Sequence, residues 1–234
     1  MPIGIITNCL AVALGGVLGS VIKDRLPDSF KNNINMILGL SSMGMGIASV
    51  VLMENMPAVV LAMILGTSIG VGIKLGDRIT AAAMKANGLF GGGSDGSSGQ
   101  LVTLIVLFCA SGTGIYGSLV SGMNGDHSIL ITKAILDFVT AMIFACSLGK
   151  VVSLIAVPQF IIMILLYLLA GVIYPLTTPM MINDFKACGG FIMIASGFRI
   201  IQLKMFPTAD MIPSMILVMP LSWMWFNWIA ALLS

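Results

Sequence analysis

The sequence predicts an all-α membrane protein: a polytopic helical bundle of about eight transmembrane helices, in which spans one to three are related to spans six to eight as an inverted-topology repeat. Three observations predict it. Of the 234 residues, 58% are hydrophobic and only 9% charged, where a soluble domain carries about 25% charged residues. So few charges cannot coat a globule, but they suffice if lipid covers most of the outside, and the mean hydropathy of +1.09 agrees. Apolar stretches recur at the length of a membrane-spanning helix, about 20 residues. Finally, two segments near opposite ends of the chain can be superimposed.

On that length the spans are Ile3–Ile22, Ile34–Met53, Pro57–Ile73, Leu101–Gly122, Ile129–Leu148, Val151–Ile173, Ala187–Leu203 and Ile212–Leu232. The whole chain, 1–234, reads as one membrane domain: repeat one over 1–75, a cytoplasmic loop over 76–100, central spans over 101–150 and repeat two over 151–234. The N-terminus lacks a basic region ahead of its apolar run, so the first segment is expected to stay as a membrane helix rather than serve as a cleaved signal.

Lys and Arg set the orientation, because cytoplasmic loops carry them in excess. Lys23, Arg25 and Lys31 follow the first span, Lys74, Arg78 and Lys85 the third, Lys150 the fifth and Lys204 the seventh. With eight spans these fall on one face, and both termini lie outside the cytoplasm. The opposite loops carry Glu54, Asp126, His127 and Asp184, with Lys186 as the basic exception. Trp223, Trp225 and Trp228 near the end of the last span fit an interfacial aromatic anchor. Gly91–Gln100, GGGSDGSSGQ, reads as a flexible linker, and Leu75–Leu89 before it as a short surface helix.

The repeat rests on Leu10–Lys31 set over Leu165–Lys186. Leu10, Leu14, Gly16, Val17, Phe30 and Lys31 fall on Leu165, Leu169, Gly171, Val172, Phe185 and Lys186. Five spans separate the two starts, and an odd offset reverses direction. Inverted repeats recur in secondary transporters, with the substrate at the repeat interface near mid-bilayer.

Polar groups inside the apolar segments are the candidate site. The second and seventh spans carry glycine at corresponding places, which suggests broken helices lining a cavity; the competing reading is close packing through small residues. The candidates there are Ser41, Ser42 and Gly44, and opposite them Gly189, Gly190 and Ser196. The fourth span, rich in glycine and hydroxyls, adds Ser111, Thr113 and Ser118, and is expected inside the bundle. The fifth carries Lys133 and Asp137, four apart and hence on one helical face. An intramembrane carboxylate is costly and is by default a functional hypothesis. Asp137 could bind a cation or carry a proton, and Lys133 could be its structural partner, snorkel outward or neutralise an anionic substrate. Asn8, Gln159 and Asn227 are further polar residues at depth, and Arg199 either snorkels or faces a vestibule.

Other chemistries fit less well. The cysteines Cys9, Cys109, Cys146 and Cys188 show no Cys-x-x-Cys spacing and read as packing residues. The 19 methionines are scattered and the chain has one histidine, so no metal site or cofactor is expected and methionine reads as core filling. A net charge of +2 with no basic stripe argues against nucleic acid. There is no His-Glu-x-x-His, no pair of intramembrane carboxylates and no convincing nucleophile–base pair, so no enzyme is expected.

These segments resemble a known family, the YdfK/YqgA-type bacterial membrane proteins grouped under a domain of unknown function. Gly4–Ile22 with Asn8 and Gly15-Gly16 is similar to its first span. Gly117-Ser118 through Gly122, Gly125-Asp126, Lys133, Leu136 and Asp137 resemble its most specific signature, and Gly189-Gly190 with Gly197 its late glycine motif. The fourth span departs, with SGTGIYGS in place of a more apolar version. The resemblance implies a multi-pass protein of the bacterial cytoplasmic membrane and supplies no substrate.

The function expected is a secondary transporter of a small polar or anionic solute, coupled to H⁺ or Na⁺, with the lipid bilayer, the solute and the coupling cation as its partners. A channel or passive facilitator and a non-transport scaffold are the alternatives. Gly66-x-x-x-Gly70 and Gly72-x-x-x-Gly76 permit tight packing, within the chain or in a homodimer.

Overall fold

A computed structural model describes residues 1–22, 26–89, 101, 104–105, 107–109 and 111–230. The basic residues Lys23 and Arg25, the Gly/Ser segment 91–100 and parts of the expected fourth span lie outside the described residues. Every described element is helical. In chain order they are α1 (Ile3–Ile22), α2 (Asp28–Val50), α3 (Met56–Gly72), α4 (Leu75–Leu89), α5 (Gly112–Asn124), α6 (Ser128–Leu148), the single turn α7 (Val151–Leu154), α8 (Ala156–Ile173), α9 (Pro179–Ile200) and α10 (Ile212–Met224), which runs on as a π-helical turn over Trp225–Ala230. Among the described residues four helices are long and apolar enough to cross a membrane: Ile3–Ile22, Ser29–Val50, Ser128–Leu148 and Val151–Leu176. The bent pair α3 and α4 makes a fifth if the two are one span. Leu10, Leu14, Val17 and Val21 on α1, and Val157, Ile161, Leu165 and Leu168 on α8, stand exposed. Rows of bare aliphatic side chains on helices of this length are what hydrocarbon, rather than water, solvates.

Several expected boundaries move. The fourth expected span, Leu101–Gly122, is interrupted at Ser111, whose backbone is extended (φ −73°, ψ 132°) and whose hydroxyl caps α5 by accepting from Gly114 N. Here a serine side chain supplies the cap at which a helix starts. The seventh expected span, Ala187–Leu203, begins earlier, at Pro179, capped by Thr178. Thr-Pro is a strong start signal, a capping hydroxyl followed by proline at the first turn. Asp184 and Lys186, expected in a loop, therefore sit inside α9.

The chain forms two compact units: Met1–Leu38 with Asp77–Val172, and Gly39–Gly76 with Ile173–Ser234. In the first unit α1 runs parallel to α6 and meets it through glycine. A Cβ at Gly15 would sit 2.3 Å from the Phe138 carbonyl oxygen, and one at Gly19 2.1 Å from that of Met142. Backbones approach this closely only where a side chain is missing. On its other side α1 meets α7 and α8 running antiparallel, Gly16 lying against Ser153. In the second unit α2 and α9 cross antiparallel through Gly39 against Gly197 and Gly46 against Gly190. α3 meets α10 and the turn before it, also antiparallel, through Gly66 against Ser214 and Gly70 against Asp210.

The glycines of α2 and α9 thus leave both helices unbroken, against the expectation of interrupted spans. They form a packing seam, because two small residues per two turns let the backbones touch without losing a ladder hydrogen bond. Gly66 and Gly70 are likewise used within the chain. Gly15→Ala is expected to lower stability by about 1–3 kcal/mol, the cost of overpacking against backbone. Gly44→Ala, with nothing within 4 Å of the new methyl group, should be neutral or gain up to about 1 kcal/mol of helix propensity. Thermal unfolding of the two variants in detergent distinguishes them.

Candidate functional site

The first unit buries an ion pair. Lys133 and Asp137 sit a turn apart on α6, with their side chains only 4% and 10% exposed, and the ammonium bonds Asp137 Oδ2. The parallel packing of α1 brings Asn8 alongside, and its Nδ2 donates to the same oxygen at 2.9 Å. From α8 Gln159 Nε2 donates to Asn8 Oδ1 at 2.7 Å and to Asp137 Oδ2 at 3.2 Å. The carboxylate oxygen therefore receives three donors from three helices. Asn8 and Gln159 are fully buried. The Phe108 ring lies 5.9 Å from the ammonium, within cation–π range. A Cβ at Gly114 would meet Lys133 Cε at 3.1 Å and Met163 Cε at 2.9 Å, so α5 closes over the lysine where it has no side chain.

Donors in this cluster run toward the carboxylate, directly or through Asn8, and one acceptor is left over. Gln159 Oε1 is buried without a partner, as are Ser118 Oγ on α5 and Ser153 Oγ on α7. These are the orphaned buried side-chain polar atoms among the described residues, and all three belong to the first unit. Buried polar groups are ordinarily paired, so each exception calls for a reason.

The second unit buries a second carboxylate by a matching plan. Asp184 on α9 is fully buried. Its Oδ1 accepts from Glu54 N at 2.8 Å and Asn55 N at 2.9 Å, and its Oδ2 from Asn55 Nδ2 at 2.9 Å and Ser222 Oγ at 2.6 Å. In each unit, then, an aspartate meets an asparagine from the helix that runs parallel to its own (Asn55 standing just ahead of α3) and a polar residue from an antiparallel one, α8 or α10. The difference lies in the counter-charge. Asp137 has a lysine four residues earlier; Asp184 faces backbone N–H groups at the start of α3, where the helix dipole favours an anion.

Of the residues expected from sequence, Asn8, Lys133 and Asp137 come together. Thr113 and Ser118 are buried on α5, and Ser111 is its cap. The candidates on α2 and α9 lie in the other unit and do not converge. Ser42 donates to Met193 O at 3.0 Å and Ser196 to its own helix at Ile192 O, both structural bonds. Ser41 and Gly44 face outward, because the helical period places them off the seam that Gly39, Ser42 and Gly46 define. Gly189 and Gly190 are buried in packing. Asn227, expected at depth, is exposed and donates to Trp223 O, while Arg199 donates to Thr208 at 2.7 Å instead of snorkelling free. Asp184, Asn55 and Ser222 are not legible as a cluster in the sequence. The signal available is the shared Ile-x-Asp-Phe of Ile135–Phe138 and Ile182–Phe185.

Apolar helices of membrane length around a buried ion pair define a helical membrane protein with a polar centre inside its first unit. The chain belongs to the family described as "Protein of unknown function (DUF554)", whose model matches residues 3–223. It is 48% identical over 235 residues to the uncharacterized protein YqgA of Escherichia coli (strain K12), covering 98% of this chain and all of that one. It is 25% identical over 215 residues to the uncharacterized membrane protein YdfK of Bacillus subtilis (strain 168), covering 92% of this chain and 93% of that one. No solved structure matches the chain.

Proposed function

We propose that this protein is a secondary transporter of a small anionic solute in the bacterial cytoplasmic membrane, coupled to a cation. The observation that carries the reading is the Lys133–Asp137 pair, held with Asn8 and Gln159 between helices of membrane-spanning length. Ionisable groups at such depth mark ion and substrate paths more often than they serve stability. A buried ion pair is also weak evidence for stability, since a hydrophobic pair of similar volume often does as well. Flux of a panel of small anions into proteoliposomes tests the reading. Wild-type uptake above empty liposomes supports it, and no flux for any solute sinks it.

Eight crossings with both termini extracytoplasmic belong to the same proposal. The helix directions inside each unit support it. In the first, α1 and α6 run parallel while α5 and α8 oppose α6 and α1; in the second, α3 and α9 run parallel while α10 and α2 oppose them. Those senses agree with numbering α1, α2, α3, the span ending in α5, α6, α8, α9 and α10 as crossings one to eight. The inverted relation between the chain's ends is supported by the Leu10–Lys31 alignment. Pro2→Cys and Trp228→Cys, each made in a cysteine-free background, are both expected to label with an impermeant thiol reagent in intact spheroplasts. Labelling of only one of them would refute the even-numbered topology.

A further inference from the structure

The cluster in the first unit has a charge constraint that narrows what it can bind, granted the transport reading above. Lys133 and Asp137 sum to zero, and they are sealed between α1, α5, α6 and α8 where a net charge costs several kcal/mol. Asp137 Oδ2 already holds an ammonium and two amide donors, so the pair carries no net negative charge to attract a metal cation. A small anion entering alone would leave the site at −1, and a proton entering alone at +1. Together they leave it neutral. We propose that the site binds one proton and one small monovalent anion as a unit: the proton on Asp137, and the anion on the Lys133 ammonium that the protonated carboxyl releases.

The hydrogen bonds around the pair suit both states. With Asp137 ionised, donors run from Gln159 through Asn8 to the carboxylate, and Gln159 Oε1 is left without a partner. A protonated Asp137 needs an acceptor instead. Rotation of both amides about their last torsions supplies it: the carboxyl O–H donates to Asn8 Oδ1, and Asn8 Nδ2 donates to Gln159 Oε1. The chain reverses, and the orphaned oxygen gains its partner. Amide groups are the side chains that can do this, since one end donates and the other accepts. At Asp184, by contrast, one carboxylate oxygen is held by two backbone N–H groups, which can only donate. Two thiols, Cys9 on α1 and Cys109, also stand near the pair.

The test uses purified full-length protein in detergent, with sodium formate and sodium nitrate as probes and sodium gluconate as the ionic-strength control. One proton bound per anion makes apparent anion affinity rise about tenfold for each unit fall in pH over the range where the empty site is ionised. Thermal unfolding of the wild type should therefore respond to formate or nitrate at pH 5.5 and far less at pH 8. Asp137→Asn leaves the lysine without its counter-ion, so that variant should be stabilised by the anion equally at both pH values. Lys133→Gln should lose the response at both. Gln159→Leu, which keeps the ion pair and removes the final acceptor, should shift the wild-type pH dependence toward lower pH. A wild-type response independent of pH, or an anion response that survives in Lys133→Gln, overturns the proposal. In proteoliposomes any flux should follow a pH gradient and ignore a valinomycin-imposed potential; a potential-driven current overturns it as well. Retained pH-linked binding without flux would sink the transport reading and leave this one standing.

Discussion

Asp137→Leu is expected to destabilise the protein by about 3–5 kcal/mol, and adding Lys133→Met is expected to recover most of that loss. The argument is the asymmetry between deleting one member of a buried ion pair and deleting both. Lys133 is only 4% exposed. Its head lies under Phe108 and against the glycine face of α5. Without Asp137 it is a buried, uncompensated cation, Asn8 Nδ2 is left donating to nothing, and Gln159 keeps only its bond to Asn8 Oδ1. The double substitution removes the charge altogether and leaves only two misdirected amides. Had the pair stood in water, either single change would cost no more than about 1 kcal/mol. Unfolding midpoints in detergent, with the exposure of Cys9 to a thiol dye as the probe, measure both variants. Equal stability of single and double variants would mean that the lysine escapes to solvent, and the charge-neutral site would lose its basis.

The same pair separates what the chain's residues announce by themselves from what only packing decides. Spacing of four puts Lys133 and Asp137 on one helical face, and the apolar run around them makes that face internal. Asn8 and Gln159 are visible as polar residues at depth. Their meeting is not legible in sequence. It depends on Gly15 and Gly19 letting α1 lie against the backbone of α6, and on the antiparallel return of α8. Glycine itself is ambiguous. In α2 and α9 it suggests broken helices, yet the same residues pack two unbroken ones, because a missing side chain can weaken a helix or bring a neighbour closer. Only the presence of Met193, Gly190 and Gly197 opposite decides which. Membrane length hides Asp184 for another reason. Counting apolar residues starts the span at Ala187, whereas the helix starts at its Thr-Pro cap, two turns earlier. A charge inside the added turns is tolerated only because four donors converge on it, three of them from the beginning of α3 and one from Ser222, and that is a tertiary fact.

Asp184→Ala is therefore expected to be the most damaging single change in the second unit, with a loss of more than about 3 kcal/mol and low yield of folded protein. It would strand two backbone N–H groups, an amide and a hydroxyl, each buried or half-buried and each aimed at the missing carboxylate. Unsatisfied groups of this kind cost about 1–3 kcal/mol apiece, less whatever water can repair. The entry to α3 should suffer most. Asn55 precedes that helix without making a side-chain cap; its side chain is engaged by Asp184, and so are its own N–H and that of Glu54. Asp184→Asn keeps an oxygen for the two N–H donors and turns an NH₂ toward Asn55 and Ser222, both of which can reorient to accept, so its cost should stay near ~1–2 kcal/mol. Unfolding midpoints, with Cys188 beside Met63 as a thiol probe in this unit, give the ranking. The two aspartates should also differ in kind. Added formate should rescue Asp137→Asn, where a buried lysine lacks an anion, and should do nothing for Asp184→Ala, where the lost acceptor faced neutral donors. Rescue of Asp184→Ala by the same anion would show that the second cluster is also a binding site, and that charge pairing is not what separates them.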